Sequence, residues 1–507
     1  MATPSERLAD SLDALKALQD KGFIAIRSGD LSRTHRERLV RNGFLHEVMK
    51  GWYIPARLDQ TAGDSTWWYT SYWDFCAAYL DHRFGDEWCL SPDQSLALHV
   101  GNRTVPQQLQ VHTPKGSNKP TPLPHDTSLF DVRYALPDKS QRVTLDGLRL
   151  FSVPAALVAC GPSYFEQREI DARAALTMIR DASDVLAVLL EGGRSTVAGR
   201  LAGAFRNIGR DDIADDISKT MQRAGYTVRE SDPFVDKPHL KLPLREQSPY
   251  VTRVRIMWDA MRQPIIDAFP PAPGVPADTA AYMRRVEEIY VADAYHSLSI
   301  EGYRVNEALI EKVRSGTWKP DQNKDDQERA NALAARGYYD AFQTVKKSVK
   351  RVIAGENPGE IARREHGDWY RALWGPNVEA GITSASDLAG YRNGPVFIRK
   401  SMHSPPPREA VRDLMPLLFE FLAEEEDAAV RVVLGHFVFV YIHPYMDGNG
   451  RIGRFLMNVM LAAGGYPWTV VPVEGRDQYM QALEAASVEQ NIGPFTGFLG
   501  SLVQKSK

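Results

Sequence analysis

Apolar residues recur at helical spacing through most of the second half of the chain. Val251 to Phe269, Asp278 to Tyr295, Gln327 to Ile353, Arg408 to Glu425, Ala428 to Ile442 and Gly450 to Ala463 all read as helix. One non-helical insertion, "YRNGPVFIRKSMHSPPP" from Tyr391 to Pro407, interrupts them. The first half has another texture. A helix over residues 5 to 20 is followed by helical spacing from Leu31 to Asn42, opening with Ser32 and stopped by Gly43. "FLHEVMKGWYIPA" then alternates about a Lys-Gly turn, which predicts a β-hairpin and, with the two helices, the outline of a winged helix. From Thr66 to Tyr226 short strands and helices mix, ending in helices over Ile170 to Glu191 and Ser195 to Arg223. Four prolines in "RESDPFVDKPHLKLPLREQSPYV" predict a linker. The chain thus divides into a winged helix (1–60), a mixed α/β domain (61–230), a linker (231–250) and an all-α domain (251–507).

Composition narrows this only a little. The 507 residues exceed one core, while 43% apolar and 25% charged content are those of globular protein. A net charge of -3 gives no global attraction to nucleic acid. Three scattered cysteines without metal spacing fit reduced, buried thiols. The amphipathic start does not read as a signal peptide, and no apolar run reaches the roughly 20 residues of a membrane span, so the expectation is a cytoplasmic protein with no membrane partner.

Between two apolar helices lies "HPYMDGNGRIGR", His443 to Arg454. Pro444 disfavours helix at His443, ending the first helix there. "DGNG" adopts positive φ cheaply and turns its amides to one side as an anion nest. The second helix then starts with its positive dipole end facing the same place, with Arg451 and Arg454 on one face of its first turn. This predicts a concave polyphosphate site. Asp447 supplies the hard oxygen Mg²⁺ prefers, and His443 is a proton acceptor at the rim. Taken singly, each residue fits a capped helix–loop–helix with solvent-exposed arginines equally well.

Together, His443, Pro444, Gly448, Asn449, Gly450, Arg451 and Arg454 resemble the signature of the Fic family, with Tyr445 where the family has phenylalanine. "LAGYRNGPVFIRKSMHSPPPREAVRDLM" resembles its flap and "GGYPWTVVPVEGRDQYMQALEAA" the segment after its core helices. The resemblance implies an all-α Fic fold with a β-hairpin flap and transfer of AMP from ATP to a Ser, Thr or Tyr hydroxyl of a target protein, the chain itself being one candidate. By that likeness His443 is the general base, Asp447 holds Mg²⁺ on the α- and β-phosphates, and Gly448, Asn449 and Gly450 cradle phosphates. Arg451 and Arg454 hold phosphate oxygens, with Arg454 on the γ-phosphate. Val396, Phe397, Ile398 and Arg399 of the flap would pair the target backbone, and Tyr479 would lie near adenine. Gly450 argues against the phosphotransferring branch, which has lysine there.

Upstream, "DAYHSLSIEGYRV" carries Ser297, Glu301 and Gly302 in the family's inhibitory pattern. The resemblance implies that Glu301 pairs with Arg454 and blocks γ-phosphate placement; independently, a carboxylate entering an arginine-lined phosphate site competes for the same charge-assisted bonds. The N-terminal half resembles AbiEi-type antitoxins, a winged helix followed by an α/β domain. Arg33, Arg36, Arg38, Arg41 and Lys50 make that winged helix basic, which implies DNA binding, with protein contacts or homodimer formation as the alternative. The aromatic cluster Trp67, Trp68, Tyr69, Tyr72 and Trp73 reads as core. Two rival functions stay open: AMP removal by the same site, and a DNA-binding regulator whose Fic half senses nucleotide.

Overall fold

The computed structural model describes residues 3–56, 65–235, 248–318 and 326–506. They form two compact units: Met1–Pro249 with Phe397–Ser404, and Tyr250–Val396 with Pro405–Lys507. Among the described residues, no helix is long and apolar enough to cross a membrane.

The first unit opens with the helix Pro4–Gln19, started by a reciprocal capping box between Thr3 and Glu6. The helix Arg33–Arg41 follows, capped by the Ser32 hydroxyl. Strands β1 (Ile26–Arg27), β2 (Leu45–Met49) and β3 (Trp52–Pro55) form an antiparallel sheet in the order β1-β3-β2. Gly51, at φ +84°, turns the predicted hairpin. Leu15, Ile26, Leu31, Leu39, Leu45 and Tyr53 make a small core for this part alone.

Beyond it, the helix Thr66–Phe84 buries Trp68, Tyr72 and Trp73 while Trp67 and Tyr69 pack partly buried on the same core, as the cluster predicts. Strands β4 (Cys89–Leu90), β5 (Gln108–Thr113), β6 (Pro120–Pro122) and β7 (Ser128–Arg133) form a sheet in the order β4-β5-β7-β6. Its β5/β7 pair is parallel, with Gln108 opposite Ser128. A hairpin of β8 (Arg142–Leu145) and β9 (Leu148–Phe151) precedes six short helices. The two helices expected over 170–223 are four: Glu169–Thr177, Ala182–Glu191, Ser195–Asn207 and Asp211–Arg223. The break at Gly209 has φ +77°, a left-handed exit that the apolar periodicity does not reveal. All three cysteines are buried and free.

The linker is shorter than expected. The Ser231 carbonyl backs so closely onto Gly203 that a Cβ there would collide with it, and Phe234 is buried under the Arg173 guanidinium. Packing in the first unit therefore runs to Phe234. Residues 236–247 lie outside the described residues.

The second unit is helical. Its centre is the pair Ala428–Ile442 and Asn449–Ala463, each buried almost all round, as expected of helices apolar on every face. Helices Pro249–Ala268, Thr279–Glu288, Tyr290–Ile300, Asp326–Ile353 and Arg408–Glu424 match the periodic segments, except that the single helix expected over 278–295 breaks at Ile289. The helix Pro358–Glu379 has no counterpart in the periodicity, because glycines and a proline interrupt its apolar stripe. It crosses Asp326–Ile353 at Gly337, where any Cβ would strike the Leu373 carbonyl.

The insertion forms no β-hairpin. Residues 390–407 contain no strand; the backbone runs extended to a turn closed by the Ser401 amide on the Ile398 carbonyl, with Lys400 at φ +62°. Pro395 and Pro405 to Pro407 have no N–H to give to a ladder, which is why pairing fails. Gly337→Ala should lower stability by about 1–3 kcal/mol through overpacking at the helix crossing, read as a lower urea midpoint; an unchanged midpoint would contradict that close approach.

Candidate active site

The site is built on how one buried helix ends and the next begins. Ala428–Ile442 stops at His443, whose backbone is left-handed at φ +53°. Arg392 holds this turn. Its amide donates to the Pro444 carbonyl (2.9 Å), its Nε to the His443 carbonyl (2.8 Å) and its Nη2 to the Pro406 carbonyl. A cation gripping carbonyls at a helix C-terminus also complements the dipole there. Burial pushes the Arg392 guanidinium down to about 10, still charged at neutral pH. The Tyr445 ring lies flat on Tyr370, centroids 3.8 Å apart. Asn449 closes the loop: its Oδ1 accepts from the Tyr445 amide (2.9 Å) and its Nδ2 donates to the Tyr445 carbonyl (2.8 Å).

The Asn449 side chain is thus committed to the loop's own backbone and shapes the turn. Gly448 starts the helix Asn449–Ala463 at φ +84°, and a Cβ there would come within 2.9 Å of Trp374 Nε1. Conformation and space both demand glycine.

His443 is half-buried, and its Nδ1 lies 3.1 Å from the Val440 carbonyl oxygen. A carbonyl can only accept, so Nδ1 carries the proton and Nε2 keeps its lone pair. Burial lowers the imidazole to about 4, against the opposing effect of the Val440 bond. His443 is therefore neutral at pH 7, with its basic nitrogen free of that contact.

Neither arginine is solvent-exposed. Arg451 is 1% exposed and lies between the rings of Trp374 (5.0 Å) and Tyr303 (5.3 Å), with Asp447 Oδ1 3.6 Å away. Arg454 donates from Nε to Ser297 Oγ (2.9 Å), and from Nη2 to the Ser297 carbonyl (3.1 Å) and Glu301 Oε1 (2.7 Å). Burial opposes the charge on both partners, yet each outweighs that cost for the other: the Glu301 carboxyl is held below its usual range and Arg454 above its own. Three buried donors nearby, Arg451 Nε, Arg454 Nη1 and Trp374 Nε1, have no hydrogen-bond partner among the described residues. The Glu301 carboxylate also lies against the first turn of Asn449–Ala463, since a Cβ at Gly450 would collide with its Oε1. It thus sits where unpaired first-turn amides and the helix dipole favour an anion. Gly302, at φ +91°, turns the chain away immediately afterwards.

Residues 375–461, which include this loop, both arginines and Arg392, match the sequence model of the Fic/DOC family. The chain carries a Fic/DOC domain. Related proteins include protein adenylyltransferase Fic of Drosophila grimshawi, 28% identical over 233 residues, or 45% of this chain and 44% of that protein. The protein of the same name from Drosophila mojavensis is 26% identical over 242 residues, 45% of this chain and 42% of that one. The chain spans less than half the length of these relatives. Among solved structures, Fic-1 (residues 134–508) from C. elegans aligns at 18% identity over 66% of this chain and 86% of that one, with a TM-score of 0.38.

The Fic/DOC loop thus brings together His443, Asp447, Gly448, Asn449, Gly450, Arg451 and Arg454, with Ser297, Glu301 and Gly302 beside them. Tyr479 is 1% exposed, its hydroxyl 2.6 Å from His436 Nε2 and in interaction with Arg454, its ring among Phe495 and Phe498, so it packs in the core under Arg454. Of the flap residues, Val396 belongs to the second unit, but Phe397, Ile398 and Arg399 belong to the segment that packs within the first. There the Val105 amide donates to the Met402 carbonyl (3.0 Å).

The basic residues of the first unit are less available than their count implies. Arg33 pairs with Glu37 (2.6 Å), Arg36 donates to the Ser28 carbonyl and Arg38 to the Arg7 carbonyl, while Arg41 and Lys50 are exposed. Sequence reasoning missed Arg392, Trp374, Tyr303 and Tyr338. Only Arg392 left a signal, as the arginine of "YRNG" next to a proline-rich coil.

With a folded value near 4 against an ordinary 6.5, the His443 imidazole should show no titration between pH 8 and 5.5 by ¹⁵N NMR. The unfolded chain takes that proton first, so this group's contribution to stability is lost as pH falls from 6.5 towards 4. A midpoint near 6.5 in the folded protein would refute the neutral-base geometry.

Proposed function

We propose that the chain is a protein adenylyltransferase that Glu301 holds in an inhibited state. The observation that carries this reading is the Arg454–Glu301 pair at the mouth of a phosphate-ready turn, beside a neutral His443. The unpartnered donors Arg451 Nε, Arg454 Nη1 and Trp374 Nε1 fit a polyphosphate, which supplies the acceptors they lack. The N-terminus of the helix Asn449–Ala463 adds a dipole pointing the same way. The name shared by the related proteins, protein adenylyltransferase Fic, points to ATP and a protein target.

The chemistry then assigns itself to this chain's groups. His443 Nε2 takes the proton from a Ser, Thr or Tyr hydroxyl as that oxygen forms a bond to the α-phosphorus of ATP. The bond from phosphorus to the α,β-bridging oxygen breaks, and pyrophosphate leaves. Arg451 and the helix N-terminus neutralise charge building on the phosphates, and Arg454 orients the γ-phosphate. Asp447, 65% exposed at the rim, offers a carboxylate for Mg²⁺, which would supply further charge neutralisation. With Glu301 in place, Arg454 is already paired and a γ-phosphate would meet a carboxylate, so ATP binds without the orientation that transfer needs.

A second reading concerns the first unit. Arg33, its side chain 83% exposed even while paired with Glu37, joins Arg41 and Lys50 on the helix and hairpin near the N-terminus. We propose that this winged-helix element contacts DNA as an AbiEi-like module. Such binding should weaken as salt rises, with a slope that shrinks by about one for each of the three that is neutralised.

Intact mass with ATP and Mg²⁺ tests the main reading. Glu301→Gly should gain AMP, on itself or on an added target, at least about 10-fold faster than the parent, as loss of a competing charge-assisted bond implies. Adding His443→Ala should abolish that gain. Removal of AMP from a pre-modified target by the parent, with no gain by Glu301→Gly, would favour the reverse reaction instead.

A further inference from the structure

The helix that carries Glu301 carries two more polar side chains on the same face. Asp293, Ser297 and Glu301 are spaced four residues apart along Tyr290–Ile300 and its C-terminal cap, so they stack one turn above another. Glu301 and Ser297 both bind Arg454 directly. Asp293 is 5% exposed, far from the ordinary surface habit of an aspartate. Its Oδ2 accepts a bond from the Tyr338 hydroxyl at 2.7 Å. The Tyr338 hydroxyl in turn interacts with the Ser297 side chain, and both Asp293 and Tyr338 feel the charge of Arg454. Tyr338 comes from the facing helix Asp326–Ile353, and its ring packs against Phe455, the neighbour of Arg454.

Arg454 Nε donates to Ser297 Oγ, and the Tyr338 hydroxyl, which interacts with Ser297, donates to the Asp293 carboxylate. A buried acid at the end of such a chain has a stated job: it offers negative charge to a buried cation without touching it. Glu301 cannot do this in the active state, because the proposed function requires it to give way. Once it does, Arg454 would be a buried guanidinium with only neutral partners until a γ-phosphate arrives.

We propose that Asp293 is a positioning residue for the γ-phosphate-binding arginine, acting through Tyr338 and Ser297 to hold Arg454 in place when Glu301 has left it. This rests on the proposed function for the identity of the ligand. The arrangement makes Glu301 and Asp293 alternative counter-charges for one arginine: a switchable one that blocks and a fixed one that preserves the site. Neither "DAYHSLSIEG" read as a motif nor the Fic/DOC match, which begins at residue 375, draws attention to Asp293.

The test compares Glu301→Gly with Glu301→Gly/Asp293→Asn and Glu301→Gly/Tyr338→Phe, using ATP and ADP as probes by calorimetry. ADP lacks the group that Arg454 orients, so it reports on a general loss of structure. Asp293→Asn should weaken ATP binding about 10-fold and leave ADP within about 2-fold, since one charge-assisted contact is disturbed and the remaining ones are not. Tyr338→Phe should act in the same direction, and the two together should cost little more than either, as members of one chain do. Equal weakening of ATP and ADP, or no weakening of either, would overturn the proposal.

A nucleotide-free arm separates this from failure of the proposed function. In urea melts, Asp293→Asn should destabilise the Glu301→Gly chain more than it destabilises the parent, because only there is it the last anion serving Arg454. If Glu301→Gly bound no nucleotide, the proposed function would fall, and this excess loss of stability would still decide the role of Asp293. Equal losses in the two backgrounds would contradict it.

Discussion

Arg454 is a guanidinium that cannot shed its proton and has been taken out of water. An uncompensated charge in that position costs several kcal/mol, so everything packed around it must supply acceptors. Ser297 gives two and Glu301 one, and Nη1 is left over. A carboxylate from the neighbouring helix and a phosphate from a nucleotide are then two answers to one electrostatic demand. Inhibition needs no lid and no occlusion of the histidine on this account. It needs only that the first answer be built into the chain. The same logic makes Glu301 a stabilising residue, so under the proposed function relief of inhibition and loss of stability should accompany each other.

The rest of the site depends on backbone more than on side chains. His443 points its basic nitrogen out because its residue is left-handed and its other nitrogen is bonded to Val440. That strained turn persists because Arg392 grips three carbonyls around it and Asn449 ties the loop to Tyr445. Two stacked tyrosines and two buried helices leave the loop no room to relax. Gly448 and Gly450 are then fixed by space: one faces Trp374, the other the Glu301 carboxylate. The nest is a consequence of how two helices meet.

What could be read from the sequence was what local chemistry writes plainly. Proline after His443, glycines at the turn and two arginines one helical turn apart gave the loop, and the family likeness of Ser297, Glu301 and Gly302 pointed to the carboxylate that pairs with Arg454. Helix ends such as Gly209 and Ile289 were lost because apolar periodicity carries on across them. Tyr479, expected near adenine, is buried under Arg454, and an aromatic residue reads alike in a core and in a binding site. Arg392 and Tyr338 act across long sequence separations, which a motif cannot express. The flap's prolines did carry the information that it would not pair as a hairpin, and were outweighed by the family likeness.

The central claim is that Glu301 and a γ-phosphate compete for Arg454. A crystal structure of the parent chain soaked with a non-hydrolysable ATP analogue, set beside Glu301→Gly treated in the same way, tests it most directly. The account predicts that Arg454 stays on Glu301 in the parent with the γ-phosphate turned elsewhere, and that Arg454 holds the γ-phosphate in the variant. A parent structure in which Arg454 binds the γ-phosphate while still paired with Glu301 would contradict it.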